Sequence, residues 1–186
     1  MQFSVGDKVM HPKFGAGEIV GEQHRELVEG FEHYFVIKIM STGATAYVPV
    51  RKMDELGVRL VMSRSKLAQV LRTLRGVPRV LSKDYKRRQE RIREKLGTGQ
   101  AIPVAEAVRD LTWRKERNRL TQKDEDLLNR GRERLAAEIA LATDTQVFDA
   151  EEKIDHVLRV AIMDGSDGPE GAQEVKASTS AQASAV

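Results

Sequence analysis

The chain has 186 residues, no cysteine and a formal net charge of +3. Without cysteine there is no disulfide framework, no thiol nucleophile and no thiolate metal site, which fits a reducing compartment. No stretch approaches the roughly 20 apolar residues of a membrane span, and the opening MQFSVGDKVM has no apolar run behind positive charge, so a soluble, cytoplasmic protein of one domain or two small ones is expected.

Short β-rich runs come first. Residues 5–11, 17–25, 31–39 and 45–48 favour strands, and glycine-bearing turns such as Phe14-Gly15-Ala16-Gly17 and Ser41-Thr42-Gly43 separate them. Between 31 and 39, Phe31, His33, Phe35, Ile37 and Ile39 fall on one face, while Glu32, Tyr34, Val36 and Lys38 fall on the other. The first face is built for a core; the second is too mixed to be buried outright. Four or five such strands predict a small, strongly bent antiparallel sheet or barrel with an available edge.

Past residue 50 the period becomes helical. Helices are expected at 65–75, 82–96, 104–119 and 150–162, with Pro103 placed to start the third. Thr121, followed three residues later by Asp124, reads as an N-cap with a carboxylate at the positive end of a further helix, which carries Leu127, Leu128, Leu135, Ile139 and Ala142 on its buried side. From 164 to 186 there are too few large apolar residues to offset the entropy of ordering, and a disordered tail is expected. The fold class is α+β: a small antiparallel β domain over 1–55 and a compact helical domain over 56–163.

The charge is unevenly placed. Residues before Arg64 carry a net −1, Arg64 to Arg119 carry +11, and the remainder −7. Its densest part is Leu81 to Leu96, LSKDYKRRQERIREKL. Positive charge gathered on helices is the footprint of phosphate contact, because neutralised phosphates release condensed counterions; a solvated face of good helix formers is the plainer alternative. At 100° per residue Tyr85 falls in line with Ile92 and Leu96, which makes it a core residue, yet Arg88, Arg91 and Lys95 run beside it and its first-turn position lets it project, where a ring rimmed by cations can wedge against a base. Trp113 lies off its helix's apolar stripe; packing against a neighbouring helix with Arg109 and Arg117 on the indole is favoured over nucleic-acid contact.

Other motifs carry little. Gly15-Ala16-Gly17 lacks a third glycine and a following helix, so it reads as a turn. His11, His24, His33 and His156 show no spacing for one metal, although His24 and His33 can meet across strands. With no cysteine and no serine in a Gly-x-Ser-x-Gly turn, nothing nominates a nucleophile, and no enzyme, cofactor or metal is expected.

The opening FSVGDKVMHPKFGAGEIV, the strand ending AYVPV, the helix start Asp84-Tyr85-Lys86-Arg87-Arg88, and AVRDLTWRKERNRLTQKDEDLLNRGRERLAAEIALA resemble, in order over residues 1–160, the CarD family of bacterial transcription regulators. The resemblance implies a Tudor-like (SH3-like) β domain that docks on the RNA polymerase β subunit, and a helical domain that contacts promoter DNA at the upstream edge of the melted region. It implies a monomer that stabilises the open complex without catalysis. Carried over by position, it assigns Arg25, Leu27, Tyr47 and Pro49 to polymerase, with Tyr47 standing where an arginine is common. It assigns Tyr85, usually tryptophan, to a minor-groove wedge, and Lys86, Arg87, Arg88 and Arg91 to phosphates, whereas Glu90 falls where a lysine can occur. Two alternatives stay open: an RNA- or ribosome-associated module, and a polymerase adaptor without DNA contact.

Overall fold

The computed structural model describes residues 3–165. Of the expected tail, Asp164 closes the last helix, and the residues after Gly165 lie outside the described part.

Alternation and glycine set the first half. Strands β1 (Lys8–His11), β2 (Gly15–Val28), β3 (Phe31–Ile39), β4 (Thr45–Pro49) and β5 (Arg59–Leu60) form one antiparallel sheet in the order β4-β3-β2-β1-β5. An added Cβ at Gly17 would sit 2.6 Å from the Lys38 carbonyl oxygen, so glycine alone allows the strands to approach there. Ile19 pairs with Ile37 but Gly21 with Val36, which leaves Val20 as a bulge that reverses the facing of β2. Before it Ile19 faces the core; after it Glu22 and His24 share that face, opposite Phe35 and His33. The inner face buries Phe3, Val9, Ile19, Phe35, Ile37, Ile39 and Val48. The expected alternation holds at Phe35, Ile37 and Ile39, while Tyr34, from the mixed face, is also buried, its hydroxyl accepting from the Val28 N–H at 3.1 Å.

The sheet continues past residue 55. A short 3-10 turn, Val50–Lys52, leads to Met53 and Val58 in the same core, and β5 returns to pair Val9 with Leu60.

Five helices follow: α1 (Arg64–Arg75), α2 (Tyr85–Gly97), α3 (Ala101–Arg117), α4 (Gln122–Thr143) and α5 (Val147–Asp164). The Ser63 hydroxyl caps α1, and Thr121 with Asp124 forms a reciprocal capping box on α4. Leu67, Val70 and Leu74 of α1 join Ile92, Leu111, Leu135, Ile139, Ile154 and Leu158 in one core. Mid-helix Gly131 lets α3 close on α4, since an added Cβ would lie 2.9 Å from Val108 Cγ2.

The two halves are tied together. Met10 and Ala16, on the outer face of the sheet, pack under Ala137 and Leu141 of α4. Arg59 bonds Glu138 with both Nη atoms, at 2.6 and 3.0 Å, and the Gly99 carbonyl at 2.6 Å, while Glu138 also accepts the Met62 N–H at 3.0 Å. Lys8 pairs with Asp144 at the end of α4. A buried carboxylate satisfied by a guanidinium and a backbone N–H is costly to break, because either loss leaves charge stranded away from water.

Candidate nucleic-acid and docking interfaces

Among the described residues, sheet order leaves one long side of β4 unpaired. Pro49 ends it and, with no N–H, blunts that edge against indiscriminate pairing. Tyr34 pairs with Pro49 and Val36 with Tyr47, so Pro49 and Tyr47 share the outer face, while Arg25 lies just past His24, where the second register shift of β2 begins. Arg25 and Tyr47 are exposed and Pro49 is half-buried. Leu27, exposed, lies within the second register shift of β2, between His24 and Val28. At the opposite end of the sheet Met10 and Ala16 pack under α4, whereas Arg25, Leu27 and Tyr47 are exposed.

On the inner face of the same overhang, His24 stacks on His33 with ring centroids 4.2 Å apart and planes at 15°, and His33 Nε2 lies 2.7 Å from Glu22 Oε2. The cross-strand meeting of the histidines is legible in the sequence; Glu22, two residues before His24 and therefore on its face, is the member the histidine pattern does not mark. Glu22, His24 and His33 each bring one ligand atom within 4.8 Å of the others, a set that could hold a metal ion although no spacing in the sequence gathers all four histidines.

The start of α2 is the second surface. The Asp84 carboxylate accepts from the Lys86 and Arg87 N–H groups at 2.8 and 3.3 Å, which fixes the first turn. Tyr85, one residue past that cap, is 51% exposed, whereas Ile92 and Leu96 on the same line are buried. Lys86, Arg87 and Arg91 are exposed beside it.

Arg88 departs from the expected phosphate set. It is buried, donates to Asp124 and holds the Ser82 and Lys83 carbonyls at 2.7 and 3.2 Å, so its donors are engaged inside the protein. Its place is to pin the segment that leads into Asp84 and Tyr85. Burial by itself would raise the Asp124 carboxyl, but hydrogen bonds from Arg88 and Thr121 outweigh it and hold that group below the usual carboxylate range. Lys95 is likewise drawn inward, to Glu106 at 3.0 Å and Asp110 at 3.5 Å. Glu90 and Glu94 share a groove with Arg87 and Arg91, which dilutes its positive field.

Trp113 is buried, as packing predicts, with the Arg117 guanidinium 5.0 Å from the ring centre. Arg109 does not stack there; it donates to Asp110 at 2.7 and 2.9 Å and to the Thr73 carbonyl at 3.1 Å. Sequence reading passed over Val77 and Val80, exposed apolar residues on the connection into α2, because an irregular segment has no period to mark its faces.

Comparison with known proteins agrees with this layout. Residues 3–62 match the CarD-like/TRCF RID domain and residues 69–155 the CarD C-terminal domain. The chain is also similar to the Bacillus subtilis (strain 168) protein named "Putative transcription factor YdeB", with 26% identity over 137 residues that span 74% of this chain and 90% of that protein. These matches point to a transcription factor and not to an enzyme, and no described helix is long and apolar enough to cross a membrane. Carrying both domains in order, one on the sheet and one on the helices, the chain belongs to the CarD family of transcription regulators.

Proposed function

We propose that the protein, as a monomer, docks on the β subunit of RNA polymerase through β4 and the far end of β2, and stabilises the open promoter complex with the start of α2. The observation that carries this reading is the placement of Tyr85: a half-exposed ring on a capped helix start, flanked by exposed Lys86, Arg87 and Arg91. Main-chain pairing to the β4 edge supplies affinity, and Arg25, Leu27, Tyr47 and Pro49 supply specificity. Tethering raises the local concentration of α2 at the DNA, so weak contacts suffice. The cations grip phosphates without reading sequence, and the ring leans into the distorted minor groove. A change of about 1.4 kcal/mol in the melting equilibrium is tenfold in open-complex population.

The test is retention of the full chain on polymerase β subunit, read beside the lifetime of open promoter complexes. Arg25→Glu should weaken retention by about 1–3 kcal/mol, as for loss of a charge-assisted contact, while Tyr85→Ala leaves retention intact and shortens the lifetime. A chain that fails to bind the β subunit sinks the docking reading. The internal pairing of Arg88 and Lys95 and the nearness of Glu90 and Glu94 to Arg87 and Arg91 favour a second reading, an adaptor without DNA contact. It requires the lifetime to ignore Tyr85.

A further inference from the structure

We propose that the cleft walled by Arg79, Trp113, Arg114 and Arg117 is a binding site for a phosphate group. It opens between the connection into α2 and the last turns of α3, as a small cleft of about 40 Å³. Trp113 is 5% exposed, and its Nε1 and the Nε of Arg114 are buried with no hydrogen-bond partner among the described residues. Buried polar atoms are nearly always partnered. Indole and guanidinium N–H groups can only donate, so the missing partner is an acceptor.

Charge favours an anion over a water molecule as that acceptor. Among the described residues no carboxylate lies within ion-pair distance of Arg79, Arg114 or Arg117. The acid on the wall, Asp110, is already engaged by Arg109, by Lys95 and by the Arg79 backbone N–H at 3.0 Å. Glu106, which feels Arg79, is paired with Lys95. The C-terminal carbonyls of α3 oppose an anion with roughly half a unit of negative charge, which three cations exceed. Leu81 lines both this cleft and the groove of Arg87 and Arg91, so the two basic surfaces adjoin. A phosphate here comes either from a nucleic-acid backbone that also crosses α2 or from a free nucleotide. The cleft stands on its own donors and rests on the DNA-contact reading only for that source.

Trp113 is the sole tryptophan of the chain, so the fluorescence of the full protein reports on this cleft directly. The test titrates pyrophosphate, ADP and a promoter duplex into the wild type, Arg114→Gln and Arg117→Gln, with thermal melts to confirm folding. A saturable emission change is expected, weakened about tenfold by either substitution, as for loss of a charge-assisted contact. A duplex response that pyrophosphate displaces supports the site with backbone as the source; a response to pyrophosphate and ADP alone supports it with a free nucleotide as the source. No saturable change with any probe, or a change that both variants retain, overturns it and leaves water as the acceptor. Duplex binding that responds to Arg87→Gln while Trp113 stays silent would remove this site and leave the DNA reading standing.

Discussion

Arg88 and Asp124 face each other inside the helical half through two parallel hydrogen bonds, Nε to Oδ1 at 3.2 Å and Nη2 to Oδ2 at 2.7 Å, with side chains 3% and 0% exposed. They lie 36 residues apart in sequence and join the starts of α2 and α4. Arg88→Met should therefore cost about 3–5 kcal/mol in urea denaturation, because it strands a buried carboxylate. Arg87→Gln, one residue away on the solvent side, should stay within about 0.5 kcal/mol of wild type. Equal losses would contradict the partition of this basic run into one structural arginine and several free ones.

On the DNA-contact reading, the same partition sets the salt dependence of binding. Each phosphate contact removed lowers the slope of log affinity against log salt by about one unit. With Arg88 engaged internally, Arg87→Gln with Arg91→Gln should flatten the plot by up to about two units while docking on polymerase is kept. An unchanged slope would assign both side chains to a merely solvated face.

Tyr85 gives opposite outcomes for burial and for projection. Its exposure predicts that Tyr85→Ala leaves the melting free energy within about 0.5 kcal/mol, against the 3–5 kcal/mol of a large aromatic truncation in a core. On the DNA-contact reading, Tyr85→Trp should lengthen the open complex, since a larger ring offers more surface to stack. A destabilised Tyr85→Ala together with an inert Tyr85→Trp would remove the wedge.

Much of this could be read before any coordinates. The alternation at Phe35, Ile37 and Ile39 and the N-cap at Thr121 with Asp124 behind it are local patterns present as expected, whereas Tyr34, on the mixed face, is buried. Arg88 could not be placed that way: periodicity locates a residue on its own helix but says nothing of a carboxylate waiting on another. Strand β5 is two residues long and exists because β1 offers it an edge, so no window of sequence announces it. Tyr85 lay between two readings because its angular position matches Ile92 while its place in the first turn carries it past the bundle.

His11 supplies a pH dependence with a definite sign. Its Nδ1 accepts the Lys13 and Phe14 N–H groups at 3.0 and 3.3 Å; burial, and then the charge of Lys13, depress its pKa. The unfolded chain thus holds a proton on this ring at pH values where the folded protein does not, and stability rises with pH through that window. The contribution is complete above the unfolded value of about 6.5 and fades as pH falls toward the folded one. His11→Asn keeps an acceptor without titrating, so melts at pH 8 and pH 5.5 should differ less in the variant. An equal difference in both proteins would exclude His11 as the source.

Because Arg59 bonds Gly99 and Glu138 at once, and Met10 and Ala16 lie packed under α4, the far end of β2 and the first turn of α2 are held at a set separation. On the proposed reading such a body behaves as a ruler laid from enzyme to template. If that reading holds, promoters would be selected by where the edge of melted DNA falls relative to the polymerase, and sequence would enter only through how easily that edge forms.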